Sequence, residues 1–81
     1  MADAYVLINC ALGKEEFILE SLREMKGVSN VNGVFGAYDI IVKIQNDELH
    51  EMRNLITEHI RKIEFIRSTL VLMIIDEQND D

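Results

Sequence analysis

The sequence predicts an α+β domain whose elements run strand, helix, strand, strand, helix, strand, with a sheet in one layer and two helices in the other. Three observations predict it. Short apolar runs rich in β-branched residues stand at residues 5–10, 38–44 and 66–76. Between them, residues 14–25 and 48–63 carry apolar side chains at three- and four-residue spacing. Glycines punctuate the joints, and no proline interrupts any element.

Residues 5–10 (YVLINC) read as a buried strand, broken by Ala11-Leu12-Gly13. Residues 14–25 form a helix with Ile18, Leu22 and Met25 on one stripe and Leu19 beside it. Glu15 and Glu16 complement the dipole in its first turn, and Lys26-Gly27 provides a basic end and a stop. Residues 28–35 (VSNVNGVF) alternate loosely, and Gly33 within them suggests a bulge or a close backbone approach. Gly36-Ala37 fits a two-residue type II′ hairpin connection. The third strand follows, with Tyr38, Ile40, Val42 and Ile44 on one side. Asn46-Asp47 offers an N-cap for a second helix over residues 48–63, whose stripe is Leu49, Met52, Leu55, Ile56, Ile60 and Ile63. The last strand spans residues 66–76, and residues 77–81 form an acidic tail. Right-handed crossovers in both halves give a ferredoxin-like βαββαβ sandwich: a four-stranded antiparallel sheet with both helices on one face.

Eighty-one residues suit one domain, here residues 1–76 plus the tail at 77–81. A core this small is commonly supplemented by a staple or by association. Cys10 is the only cysteine, so no intrachain disulfide forms, and no Cys/His spacing resembles a zinc site. A lone thiol and the absence of a signal-like N-terminus point to the cytoplasm. The apolar stretch at residues 70–75 is too short to span a bilayer. Fifteen acidic against eight basic residues leave a net charge of −7, which repels phosphate backbones and argues against direct nucleic-acid contact.

The sheet is apolar on both sides. In the last strand Ile66, Leu70, Leu72 and Ile74 alternate with Val71, Met73 and Ile75; in the first, Tyr5 and Leu7 oppose Val6, Ile8 and Cys10; Ile41 opposes Ile40 and Val42. Helices on one face cover one side only, so the other is predicted to pack on a second copy, sheet against sheet.

Chemistry is sparse. His50 and His59 lie nine residues apart on one helix, on opposite faces, and read as solvated side chains. Cys10 reads as a small buried hydrophobe, and no phosphate-binding glycine loop is present. The unusual segment is Gly33-Val34-Phe35-Gly36-Ala37-Tyr38-Asp39. Its glycines leave backbone groups approachable by a small ligand, and Asp39 offers a carboxylate to an ammonium group. From these residues alone the plainer reading is favoured: Gly36 makes the turn and Asp39 is a surface acid.

Gly36-Ala37-Tyr38-Asp39, the strand after it, and the later Arg67-Ser68-Thr69-Leu70 resemble the effector-binding domain of Lrp/AsnC regulators, also called RAM, for regulation of amino-acid metabolism. The likeness runs from YVLINC to RSTLVLMII and is most specific in GVFGAYDIIVK. The resemblance implies face-to-face sheet dimers joined into rings, often octamers, with a small effector, usually an amino acid, bound where dimers meet. It implies a ligand-binding loop at Gly36, Ala37, Tyr38 and Asp39, with hydroxyls of Ser68 and Thr69 supplied by a neighbouring subunit. Backbone groups and hydroxyls would hold the effector's carboxylate and Asp39 its ammonium group. It implies no catalytic residue, metal or cofactor. Full-length members carry an N-terminal helix-turn-helix, whereas this domain begins within five residues of Met1. The chain thus resembles stand-alone RAM proteins, which sense an amino acid or co-assemble with full-length relatives; a fragment of a DNA-binding regulator is the other reading. Two different functions compete with sensing. One is a small enzyme of the dimeric α/β-barrel type, monooxygenase- or isomerase-like, using His50, His59 or Asp39; the other is a ligand-free oligomerisation partner.

Overall fold

The computed structural model describes residues 2–74. Strand β1 (Ala2–Cys10) is followed by helix α1 (Glu15–Arg23), strands β2 (Val28–Gly33) and β3 (Ile40–Asn46), helix α2 (Leu49–Asn54, continued by a wider π-helical stretch, Leu55–Ile60) and strand β4 (Ile66–Ile74). The strands form one antiparallel sheet in the order β2-β3-β1-β4. This is the predicted βαββαβ sandwich.

Alternation along β1 fixes the two layers. Ala4, Val6, Ile8 and Cys10 are buried, as are Ile40, Val42 and Ile44 beside them on β3. Against this surface pack Ile18, Leu19 and Leu22 of α1 and Met52, Leu55, Ile56 and Ile60 of α2. Burying each large aliphatic side chain contributes roughly 1.5–3 kcal/mol, and among the described residues no buried one is polar or charged. The helices lie chiefly over β2 and β3. The helix side of β4 is therefore only part-covered: Val71 packs against the core, but Met73 remains 42% exposed.

Among the described residues nothing covers the opposite face. Register places Tyr5 beside Leu72 and Leu7 between Leu70 and Ile41, with Ile74 at the end of the row. Leu70, Leu72 and Ile74 are 43%, 48% and 48% exposed. Both apolar sides of the sheet are thus present, with one refinement. Ile66 pairs with Cys10 while Ser68 pairs with Asn9, so Arg67 is an extra residue on β4. That bulge moves Ile66 to the helix side, away from the Leu70 row with which simple alternation had placed it. Ile75 lies outside the described residues, as does the tail at residues 77–81.

Several local expectations are corrected. Residues 34–39 form a six-residue loop rather than a two-residue type II′ turn, and β2 ends at Gly33. The Asp39 N–H turns to the Ile8 carbonyl (2.9 Å) on β1, so β3 is already committed to β1 before it meets β2. A single bond from the Val34 N–H to the Asp39 carbonyl (2.8 Å) closes the loop. Tyr38 consequently lies in the loop and not on the strand. Gly33 is no bulge; the extra residue of β2 is Ser29, whose hydroxyl donates to the Lys43 carbonyl at 3.1 Å.

The second helix starts and ends differently too. Its cap is Glu48, whose Oε1 accepts from the His50 and Glu51 N–H groups, while Asn46 Oδ1 accepts from the Glu48 N–H. Leu49, in the first turn, is half-exposed rather than core. The α-helical pattern stops at Asn54. The Thr57 hydroxyl donates to the Arg53 carbonyl at 2.9 Å where the turns widen, and the Arg61 N–H reaches the Ile56 carbonyl five residues back. The wider turn stacks Leu55 and Ile60, five residues apart, on one buried face. It also invalidates the nine-residue rotation used to set His50 and His59 on opposite faces; both are exposed. Phe65 then enters β4 with φ +76°, a left-handed conformation costing about 1 kcal/mol for a side chain of this kind. Its carbonyl accepts from the Ala11 N–H, its ring meets Phe17 edge-on at 5.4 Å, and Lys14 Nζ lies 4.5 Å from its centre.

Candidate functional site

The end of the sheet where β1 stops and β3 begins gathers the residues singled out in the sequence. Asp39 is its centre. The N–H of Asp39 continues the β1–β3 ladder, and Oδ2 accepts from the Cys10 N–H at 3.0 Å. That donor needs a partner because the Arg67 bulge breaks the β1–β4 register between Asn9 and Cys10. Asp39 is therefore half-buried and held at both ends, not a free surface acid. Oδ1 has no assigned protein donor among the described residues.

An open cleft of about 340 Å³ lies against Asp39, walled by Glu15, Gly33, Val34 and Phe35. Phe35 stands fully exposed at its rim and Val34 is 39% exposed. Gly36 adopts φ +127°, and a Cβ there would meet nothing within 4 Å, so glycine is required by the backbone and not by crowding. Gly36 and Ala37 are exposed and Tyr38 half-buried. The electrostatics are one-sided: Asp39 and Glu15 bring two carboxylates to one cleft, suited to an ammonium or other cationic group. Cys10, behind Asp39, has its thiol pushed up from the ordinary range, first by burial and then by the Asp39 and Glu15 carboxylates. Both causes favour the protonated thiol.

Ser68 and Thr69 do not join this cleft within one subunit. They lie on β4, with β1 between them and β3, roughly 10 Å away across two strand spacings. They also point to opposite faces. Ser68 accepts from Asn9 Nδ2 at 3.3 Å on the open face, while Thr69 accepts from Arg61 Nε at 3.2 Å on the helix side. The sequence reading missed Glu15, taken only as a dipole-compensating acid. Gly13 (φ +81°), two residues earlier, is what turns the chain so that α1 begins beside the loop. Among the described residues no helix is long and apolar enough to cross a membrane.

The match with known families decides what this arrangement belongs to. The model of the Lrp/AsnC ligand binding domain matches residues 3–81, nearly the whole chain. The chain belongs to the Lrp/AsnC ligand binding domain family. A hypothetical protein, PHS023, from Pyrococcus horikoshii is 39% identical with a TM-score of 0.88, over 95% of this chain and 93% of that one. FFRP-DM1 is also 39% identical, with a TM-score of 0.88, over 93% of this chain and all of that one. The transcriptional regulator NMB0573 of Neisseria meningitidis, solved as a complex with L-Met, shares the fold at 11% identity and a TM-score of 0.81. There the Lrp/AsnC domain described here covers 98% of its own length but 53% of the larger chain. A comparison with curated protein sequences finds no match.

Proposed function

We propose that this chain is an amino-acid-sensing regulatory module of Lrp/AsnC type, cytoplasmic and without catalytic activity, that modulates transcription indirectly. The observation that carries the reading is the glycine loop whose closing residue, Asp39, is anchored to β1 while presenting a carboxylate, with Glu15, to a cleft. An amino acid is a zwitterion, and both its charges need partners once water leaves. Asp39 and Glu15 suit the ammonium group. Exposed backbone around Gly36, Ala37 and Tyr38 suits the carboxylate, and the hydroxyls of Ser68 and Thr69 complete the site from a neighbouring subunit. Their separation from Asp39 within one subunit fits a site shared between subunits. A structural neighbour captured with L-Met supports the ligand class.

In this reading two copies pack through the Leu70–Leu72–Ile74 face, and the dimers join into a ring, an octamer by the family's habit. Full-length Lrp/AsnC relatives with the same sheet are the partners through which the module reaches DNA, because a charge of −7 disfavours direct contact. Isothermal titration against the twenty amino acids tests it. Saturable binding of at least one, weakened tenfold or more by Glu15→Gln or Asp39→Asn, is expected; an empty screen contradicts the sensor.

A further inference from the structure

The cleft at Asp39 suits one end of a zwitterion better than the other. Its walls are Glu15, Gly33, Val34, Phe35 and Asp39, with two carboxylates and, among the described residues, no cationic side chain. An ammonium group is well served there. A carboxylate is not, because it enters a site that already carries negative charge, in a chain of net charge −7. Backbone N–H groups and hydroxyls supply dipoles but no positive charge. A cation brought to the cleft turns repulsion into attraction.

Two cations adjoin residues of the site in sequence. Lys14 precedes Glu15, but its Nζ lies over the Phe65 ring, 4.5 Å from the centre. Arg67 precedes Ser68 and Thr69 and is exposed. It is the extra residue of β4, between Ile66 opposite Cys10 and Ser68 opposite Asn9. A bulge takes its residue out of the ladder and re-aims the side chain. Like Ser68 and Thr69, Arg67 belongs to a strand separated from β3 by β1, so the distance from Asp39 within one subunit applies to it too. We propose, on the sensor reading above, that Arg67 of a neighbouring subunit reaches the Asp39 cleft with Ser68 and Thr69 and holds the effector's carboxylate. Its planar fork presents two parallel N–H donors to that carboxylate. Arg67 thereby recognises the group that all amino acids share. Asp39 and Glu15 read the ammonium end from one subunit, and Arg67 reads the carboxylate end from another.

Titration calorimetry with each of the twenty amino acids and its carboxamide, which keeps the ammonium group and side chain but lacks the carboxylate, tests it. R67Q is expected to weaken the best-binding amino acid about ten- to a hundredfold and to leave its carboxamide unchanged. R67K, which keeps the charge without the fork, should recover part of the loss. K14Q should leave both ligands unchanged. Assemblies isolated after co-expression of R67Q and D39N chains should regain amino-acid binding, because some sites then combine an intact cleft with an intact Arg67. Amino-acid binding unchanged in R67Q overturns the proposal. So does equal weakening of amino acid and carboxamide, which makes Arg67 a support of the assembly alone. Mixed assemblies that bind no better than their parents overturn the sharing between subunits. All three results leave the sensor reading standing, whereas a native protein that binds none of the twenty removes both.

Discussion

Asp39 carries two duties, and they can be separated by substitution. Removing its carboxylate leaves the half-buried Cys10 N–H without an acceptor, so Asp39→Ala should lower stability by about 1–3 kcal/mol with no ligand present. Asp39→Asn keeps an acceptor oxygen and should lose less than half of that, measured by urea unfolding. Loss of ligand binding in Asp39→Ala is therefore ambiguous, whereas loss in Asp39→Asn or Glu15→Gln speaks of charge. Cys10 gives a pH test. Its thiol is raised in the folded state, so between the unfolded and folded values the unfolded chain has released a proton that the native one retains. Stability is then full below the ordinary thiol range and falls as pH rises through it. Comparing unfolding midpoints of the native and Cys10→Ala proteins from neutral to alkaline pH should show a steeper fall for the native. Asp39 was legible as a candidate from its place after Gly36, but its bond to Cys10 was not. That contact depends on the β1–β3 register and the bulge at Arg67, and neither is written in local alternation.

The elements were legible wherever burial is periodic. Helix α1 could be read from Ile18, Leu19 and Leu22, and β1 from the alternation of Val6 and Ile8 with Tyr5 and Leu7. Illegible were the places where a hydrogen bond overrules the period. The second helix widens past Asn54, where Thr57 bonds back to Arg53, and Asp39 pairing with β1 lengthens the hairpin loop. Two glycines with similar backbones separate conformation from packing. Gly27 has φ +96° and a Cβ there would stand 2.9 Å from Leu55 Cδ2, whereas Gly13 has φ +81° and open space. Gly13→Ala should cost about 1 kcal/mol, the left-handed penalty alone. Gly27→Ala should cost more, about 2 kcal/mol, because the end of the Leu55 side chain must also shift. Equal losses in urea unfolding would mean that the Gly27–Leu55 contact yields freely.

At the scale of the whole molecule, the two-sided sheet was legible from sequence because alternation showed apolar residues on both faces of β1 and β4. Which residues lie under the helices needed the register, and it places Val71 inside and Leu70, Leu72 and Ile74 outside. In the proposed reading this apolar row, on the edge strand β4 beside β1, is the association surface that brings separate loop clefts into one assembly. Leu72→Lys should therefore dissociate the protein while leaving its helical content intact by circular dichroism. A small core that relies on association should also lose thermal stability with that change. The measurement that bears most directly on the account is the mass of the native chain by light scattering at micromolar concentration. A mass of at least twice the 9.3 kDa subunit is predicted, in a form that Leu72→Lys abolishes. A lone 9.3 kDa subunit would contradict the open face as an interface, and with it a sensor site shared between subunits.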